Sequence, residues 1–320
     1  MRKLAIAAFV IIAFGPALAW ADDNNHVLLR HSYDGNQEYL LLNRSNPEQS
    51  QNLTTLLKLP LAGTELMLDH AQSDHFLVLN QSAHTLSMAS LDAPVLKRIL
   101  TQVLTFAADS SSSIVYITPD AADAHKVLTM YYDGSRTYAI RHDAASDSFV
   151  LAVDSFNGDT MLAIGDTQKN VGYVYRDPVG DINDPHLGVA VPTQAFTIKR
   201  PTYVSLSANG QYVVFEGGQK FAAYDADNQN AVVYAISDQL EAPKTHASWM
   251  DAARLYVVSH GQIVVFDYDG QNRQSLVSAD AHYPLVFDDN DKFLYAFVQS
   301  ADNGSQELLT RTPLRTASDQ

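Results

Sequence analysis

The chain has no cysteine in its 320 residues. Thiol nucleophiles, cysteine-ligated zinc and disulfide staples are therefore excluded. Basic charge is scarce as well. Lys and Arg number 21 against 36 Asp and Glu, for a formal net charge of −15. Long-range repulsion sets such a surface against nucleic acid and anionic lipid. It suits cationic partners or divalent cations, and it also serves solubility. After the first 21 residues no apolar run approaches the roughly 20 residues that cross a bilayer. Sustained apolar spacing of helical period is missing too. Ala93–Val103 is the single stretch where a helical turn competes with a strand, because Pro94 and its β-branched residues pull against a helix. Catalytic signatures are equally sparse. No Gly-x-Ser-x-Gly elbow, His-Glu-x-x-His pair or Gly-rich phosphate loop occurs. With 36 acidic residues, a glycosidase-like carboxylate pair cannot be singled out.

What is present begins with the N-terminus. Arg2 and Lys3 precede an apolar run, Leu4–Phe14, which Gly15-Pro16 interrupts. Ala19-Trp20-Ala21 then offers small residues at the −3 and −1 positions of a cleavage site. This pattern reads as a secretory leader over residues 1–21, cut before Asp22. A retained N-terminal anchor is the rival reading. The mature chain is expected outside the cytoplasm, in the periplasm or the medium, with no membrane-spanning segment of its own.

The rest of the chain repeats itself. Tyr203–Glu216 reads YVSLSANGQYVVFE, and Phe221–Asn228 follows as FAAYDADN. Further on, His246–Val258 and Ile263–Gly270 repeat the phrase, with IVVFDYDG answering FAAYDADN, and Tyr283–Val298 starts it again. Aligned on one strand per unit, the anchors are Tyr39, Phe76, Ile114, Met161, Tyr212, Leu255 and Phe293, about forty residues apart. Short Val/Ile/Tyr/Phe-rich runs alternate with turns of Asp, Asn, Ser and Gly, as in Ser155–Asp159 and Asp288–Asp291. Continuous apolar runs suit sheets buried on both faces. The expected fold is an all-β propeller of seven four-stranded blades, one domain over 22–316, with a frayed tail at 317–320. A count of six remains open, if Tyr33-Asp34-Gly35 is the tip of an outer hairpin like Tyr132-Asp133-Gly134 and Tyr268-Asp269-Gly270. The fourth unit carries an insertion, Asp177–Gln194, whose three prolines and two glycines argue against regular structure.

Two kinds of side chain could carry chemistry. Asp225–Asn230, Asp267–Asn272 and Asp288–Asp291 set carboxylates and amides on tight turns, which hard cations favour. None has the glutamate that completes a calcium loop, and Asp and Asn also simply build turns. No metal or cofactor is therefore expected, and calcium is the one cation the turns suggest. The second group comes from the starts of successive first strands. Arg200, Tyr203, His246, Trp249, His282 and Tyr283 fall in corresponding positions of three units. They form the candidate ligand site, weighed against simple packing between blades.

The C-terminal part, roughly 201–316, resembles the TolB-like, WD-repeat-related propellers of exported bacterial proteins. The resemblance rests on Leu206-Ser207-Ala208-Asn209-Gly210-Gln211-Tyr212, with Ala and Asn for the usual Pro and Asp. The stretch from Trp249 to Arg315 is also similar to the propeller region of bacterial surface proteins that carry PEGA domains. Both resemblances imply fold and a binding or scaffold role, not a ligand. The expected function is an exported, monomeric, non-catalytic propeller that binds a protein or cell-envelope component. The alternative is a propeller enzyme of lactonase or polysaccharide-lyase type.

Overall fold

A computed structural model describes residues 17–314, apart from 22, 24, 70–71, 146, 241–245, 284, 288–291 and 300–306. The apolar run Leu4–Phe14, the Asp288–Asp291 stretch and the end at 317–320 lie outside the described residues.

The fold is an all-β propeller of seven antiparallel sheets. The first holds β1 (Ala17–Trp20), β2 (His26–Tyr33), β3 (Asn36–Asn43) and β4 (Gln51–Asn52). The second holds β5 (Thr64–Leu68), β6 (His75–Asn80), β7 (Thr85–Ser90) and β8 (Lys97–Thr101). The third holds β9 (Thr105–Ser110), β10 (Ser113–Pro119), β11 (Lys126–Tyr132) and β12 (Thr137–Ala144). The fourth holds β13 (Phe149–Phe156), β14 (Asp159–Asp166), β15 (Val171–Arg176) and β16 (Gln194–Thr197). The fifth holds β17 (Tyr203–Leu206), β18 (Tyr212–Gly217), β19 (Lys220–Asp225) and β20 (Asn230–Ala235). The sixth holds β21 (Ser248–Trp249), β22 (Arg254–Ser259), β23 (Gln262–Asp267) and β24 (Gln274–Ser278). The seventh, among the described residues, has β25 (Val286–Phe287), β26 (Phe293–Gln299) and β27 (Glu307–Pro313). Chain contacts divide these into two compact units, Met1–Ser146 with three sheets and Asp147–Gln320 with four. No helix among the described residues is long and apolar enough to cross a membrane.

The repeat length thus locates the blades, and six of the seven anchors fall on second strands. Tyr39 does not. It lies on β3, the third strand, because Ala17–Trp20 supplies a first strand that pairs Trp20 with Val27. Those four residues had been allotted to the end of the leader. Tyr33-Asp34-Gly35 closes a two-residue hairpin between β2 and β3, with Asp34 at φ 47° and Gly35 at φ 79°. Ala93–Val103 resolves as strand: Lys97–Thr101 is β8 and pairs with β7. Its β-branched residues win once a neighbouring strand is present.

Burial on both faces explains the apolar runs. Along β18, Val213 and Phe215 pack toward the fourth sheet with Val174 and Phe196, while Val214 packs toward the sixth with Leu255 and Val257. Phe215 and Phe221 are both fully buried, each contributing about 1.5–3 kcal/mol of hydrophobic stabilisation. The turn at Ser207–Gly210 holds β17 to β18. Its Gly210 has φ +70°, and a Cβ there would lie 2.1 Å from the Ser155 carbonyl oxygen, so only glycine fits.

The Asp177–Gln194 insertion is more ordered than its prolines suggest. Pro178 opens a short helix, Pro178–Asn183, where its missing N–H costs nothing. Asp177 caps that helix by accepting from the Gly180 N–H, and Asp181 Oδ2 accepts from the Val191 N–H.

Candidate ligand-binding site

The fifth and sixth sheets bring together the polar and aromatic groups of most interest. Tyr203 opens β17 and sits opposite Glu216 of β18 in the strand register. His246 lies two residues before β21, and its ring stacks on Tyr203 with centroids 3.8 Å apart and planes 13° apart. Both rings are half-buried. His246 Nδ1 is 2.8 Å from the Ala247 carbonyl oxygen. A carbonyl only accepts, so Nδ1 carries the proton and Nε2 is the acceptor nitrogen.

Beneath the pair lies Glu216, 1% exposed. Its Oε2 accepts from the Ala247 N–H at 2.9 Å, whereas Oε1 has no partner among the described residues. Burial pushes the Glu216 carboxyl up to about 8, and the single Ala247 N–H offsets only part of that. Burial, then the Glu216 charge, raises the phenols of Tyr203 and Tyr234. The Tyr234 hydroxyl is itself buried without a partner.

The other candidate residues have separate surroundings. Trp249 points along the seam instead of toward the His246 ring. Its Nε1–H donates to Ser205 Oγ at 3.0 Å, and its ring lies 6.5 Å from Tyr212. Arg200 is exposed with φ 48°, its backbone N–H on Asn170 Oδ1. His282 is exposed and paired through Nδ1 with Asp280 Oδ1 at 2.7 Å. Tyr283 packs on Phe297 at 4.8 Å. The structure stacks Tyr203 on His246, and the side-chain contacts described for Trp249, His282 and Tyr283 run to Ser205, Asp280 and Phe297. Glu216 and Tyr234 fall outside the set that first-strand spacing singles out. One signal was available for the glutamate: it ends an otherwise apolar run, YVVFE, of a strand expected to be buried.

At the other end of the same sheet the turn carboxylates are spoken for. Asp225 accepts from the Asp227 and Asn228 N–H groups, from Asn228 Nδ2, from Gln211 Nε2 and from the Tyr268 hydroxyl. Burial pushes its carboxyl up, but the Asn228 and Gln211 amides and the turn N–H groups prevail and hold it below the ordinary range. Asp267 bonds Asn272 Nδ2, and Asp269 bonds the Gln271 N–H. These oxygens accept hydrogen bonds within their own hairpin turns. Tyr212 and Tyr268 stack above them with centroids 4.0 Å apart.

No protein-family model matches the chain, and no curated protein matches it. Solved structures do match in fold. A chain of the mitotic checkpoint complex aligns with TM-score 0.58 and 12% identity, over 93% of this chain and 86% of that one. A Bacteroides fragilis "putative 6-phosphogluconolactonase" aligns with TM-score 0.53 and 10% identity, over 92% and 95%. The dihydro-heme d1 dehydrogenase NirN aligns with TM-score 0.55 and 10% identity, over 95% of this chain and 66% of that one. At such identities the likeness is one of fold alone, and the three named roles differ widely.

Proposed function

We propose that this chain is an exported, non-catalytic propeller that binds a protein or cell-envelope component through a face centred on Tyr203 and His246. The observation that carries this reading is the Tyr203–His246 stack. Two half-buried rings held in parallel present a rigid aromatic surface at little entropic cost, which is the kind of anchor that recognition sites use. Its only acceptor nitrogen with no assigned backbone role is His246 Nε2. The leader-like N-terminus supports export, and the similarity of the Ser207–Tyr212 turn to TolB-like repeats supports a scaffold role. The negative charge favours a partner with a basic rim.

The second reading, a lactonase-type enzyme, draws on the fold of the Bacteroides neighbour. One experiment separates the two. A photo-crosslinking residue at Lys220, at the start of β19 near Glu216, is used to trap the partner in cells. The partner is then purified and titrated against wild type and a Tyr203→Ala, His246→Ala variant. The binding reading expects a loss of roughly 2 kcal/mol or more in affinity, with the fold intact by circular dichroism. Steady turnover of 6-phosphogluconolactone that vanishes in the same variant would replace it with the enzyme reading.

A further inference from the structure

Among the described residues, the Glu216 carboxyl stands out as buried and under-satisfied. It is 1% exposed, it sits between the fifth and sixth sheets, and it receives one hydrogen bond, from the Ala247 N–H at 2.9 Å. A carboxylate removed from water needs a cation or several donors around it. Among the described residues, the groups that face it supply neither. Tyr203 comes from β17 and Tyr234 from β20, both phenols. Phe221 of β19 stands opposite in the register. Ahead of β21, the His246 Nδ1–H is committed to the Ala247 carbonyl. Asp269 raises the Tyr234 phenol further, behind burial and Glu216. Among the described residues no Lys or Arg pairs with Glu216, and Oε1 has no partner.

We propose that Glu216 is a proton-operated latch on the Tyr203–His246 platform. As a neutral acid it fixes the Ala247 amide, and with it the adjacent His246 ring. As an anion it holds the Ala247 N–H more strongly but cannot stay dry: it draws water and the Tyr203 and Tyr234 hydroxyls toward Oε1, and that entry opens the seam between β18 and β21 around the bond and loosens the stack. The reading of the stack as the ligand platform, made above, is what gives the latch a function. The step involves one proton, which leaves Oε1 for solvent as the pH rises, and no bond other than O–H breaks.

The direction of the titration agrees with the geometry. Burial lifts the carboxyl to about 8 from its ordinary 4.5. A group whose folded value is raised contributes fully below its unfolded value, and that contribution is lost as the pH climbs through the folded one. The latch is therefore closed in mildly acidic to neutral surroundings and opens in mildly alkaline ones.

The test uses the whole folded chain without any ligand. The Glu216 δ-carbon and the Ala247 amide are followed by NMR from about pH 6 to about pH 10. The expected result is a δ-carbon midpoint within a unit of 8, shared by the Ala247 amide shift. Amide exchange protection at Ala247 should fall roughly tenfold or more across it, beyond the ordinary dependence on hydroxide. In Glu216→Gln the amide should hold its shift and protection throughout. A δ-carbon that titrates in the ordinary carboxylate range would overturn the proposal. So would an Ala247 transition that persists in Glu216→Gln. If that variant does not fold, the wild-type δ-carbon midpoint still decides. Because no ligand enters, a failed latch and a failed binding platform are distinguishable: the second is read only in the partner titration of the Tyr203→Ala, His246→Ala variant.

Discussion

Glu216 and Asp225 belong to one sheet, are both 1% exposed, and end up in opposite protonation states. They lie at opposite ends of the β18–β19 hairpin, about 13 Å apart along the strand. Asp225 is ringed by donors from Asp227, Asn228, Gln211 and Tyr268, and its charge is held. Glu216 has one donor and is kept neutral into the alkaline range. Both side chains are closed to solvent, but Glu216 is packed far more deeply than Asp225, whose turn lies near the surface. Glu216 also has fewer N–H and O–H groups aimed at its oxygens, and depth and donor number together decide the charge. The distinction also separates roles. A fully satisfied carboxylate makes a rigid turn, whereas a half-satisfied carboxyl at a seam remains responsive to its surroundings.

The contrast can be broken from either side. The largest effect of a single substitution at one pH is expected at the satisfied end. Asp225→Ala strands several donors at once and should cost about 3 kcal/mol in urea unfolding. A loss below about 1 kcal/mol would show that water replaces the carboxylate easily. Next comes the pH dependence at Glu216. The folded state holds a proton that the unfolded state has given up, so wild-type stability should fall between pH 4.5 and about 8, by at most about 1.4 kcal/mol per pH unit. Urea midpoints of wild type and Glu216→Gln across that window measure it, and the variant should lack this component. A third change probes the seam between the two ends. Trp249→Phe keeps the ring packing but removes the indole bond to Ser205 Oγ, at a cost of about 1 kcal/mol. A double-mutant cycle with Ser205→Ala checks that the two losses are shared, since one bond cannot be lost twice. The smallest effect is expected for Tyr268→Phe. Its bond to Asp225 is 3.4 Å long and redundant with four others, so about 0.5 kcal/mol or less should be lost.

Much of the fold was legible because the repeat is written in backbone chemistry. Turn residues such as Ser207, Asn209 and Gly210 and apolar runs such as Tyr212–Phe215 have a local meaning that survives without tertiary context. The phasing slipped at Tyr39 because Ala17–Trp20 carries two compatible patterns, a leader's end and a short strand, and only pairing with β2 separates them. Lys97–Thr101 was ambiguous for the same reason: the partner strand β7, not the local sequence, settles it. The site was less legible. Corresponding positions in successive repeats led to Tyr203 and His246, yet Trp249, three residues from His246, donates its N–H to Ser205 instead. Glu216 stayed hidden because its importance comes from the hydrogen bonds it lacks, and a missing partner leaves no mark in a sequence.

If the proposed leader is cut before Asp22, the strand Ala17–Trp20 has a consequence for the first sheet. Its backbone pairs with Val27, Leu28 and Leu29, completing the first sheet, and it also ends in the small-residue signature of a cleavage site. The same residues are thus written as both postage and masonry. A chain trimmed before Asp22 surrenders its first brick and bares the backbone edge of β2, which any passing strand can claim. An untrimmed chain keeps the wall whole. Under the proposed export, cleavage and completion of that sheet are rival uses of four residues, and the mass of the mature N-terminus would show which one the cell chooses.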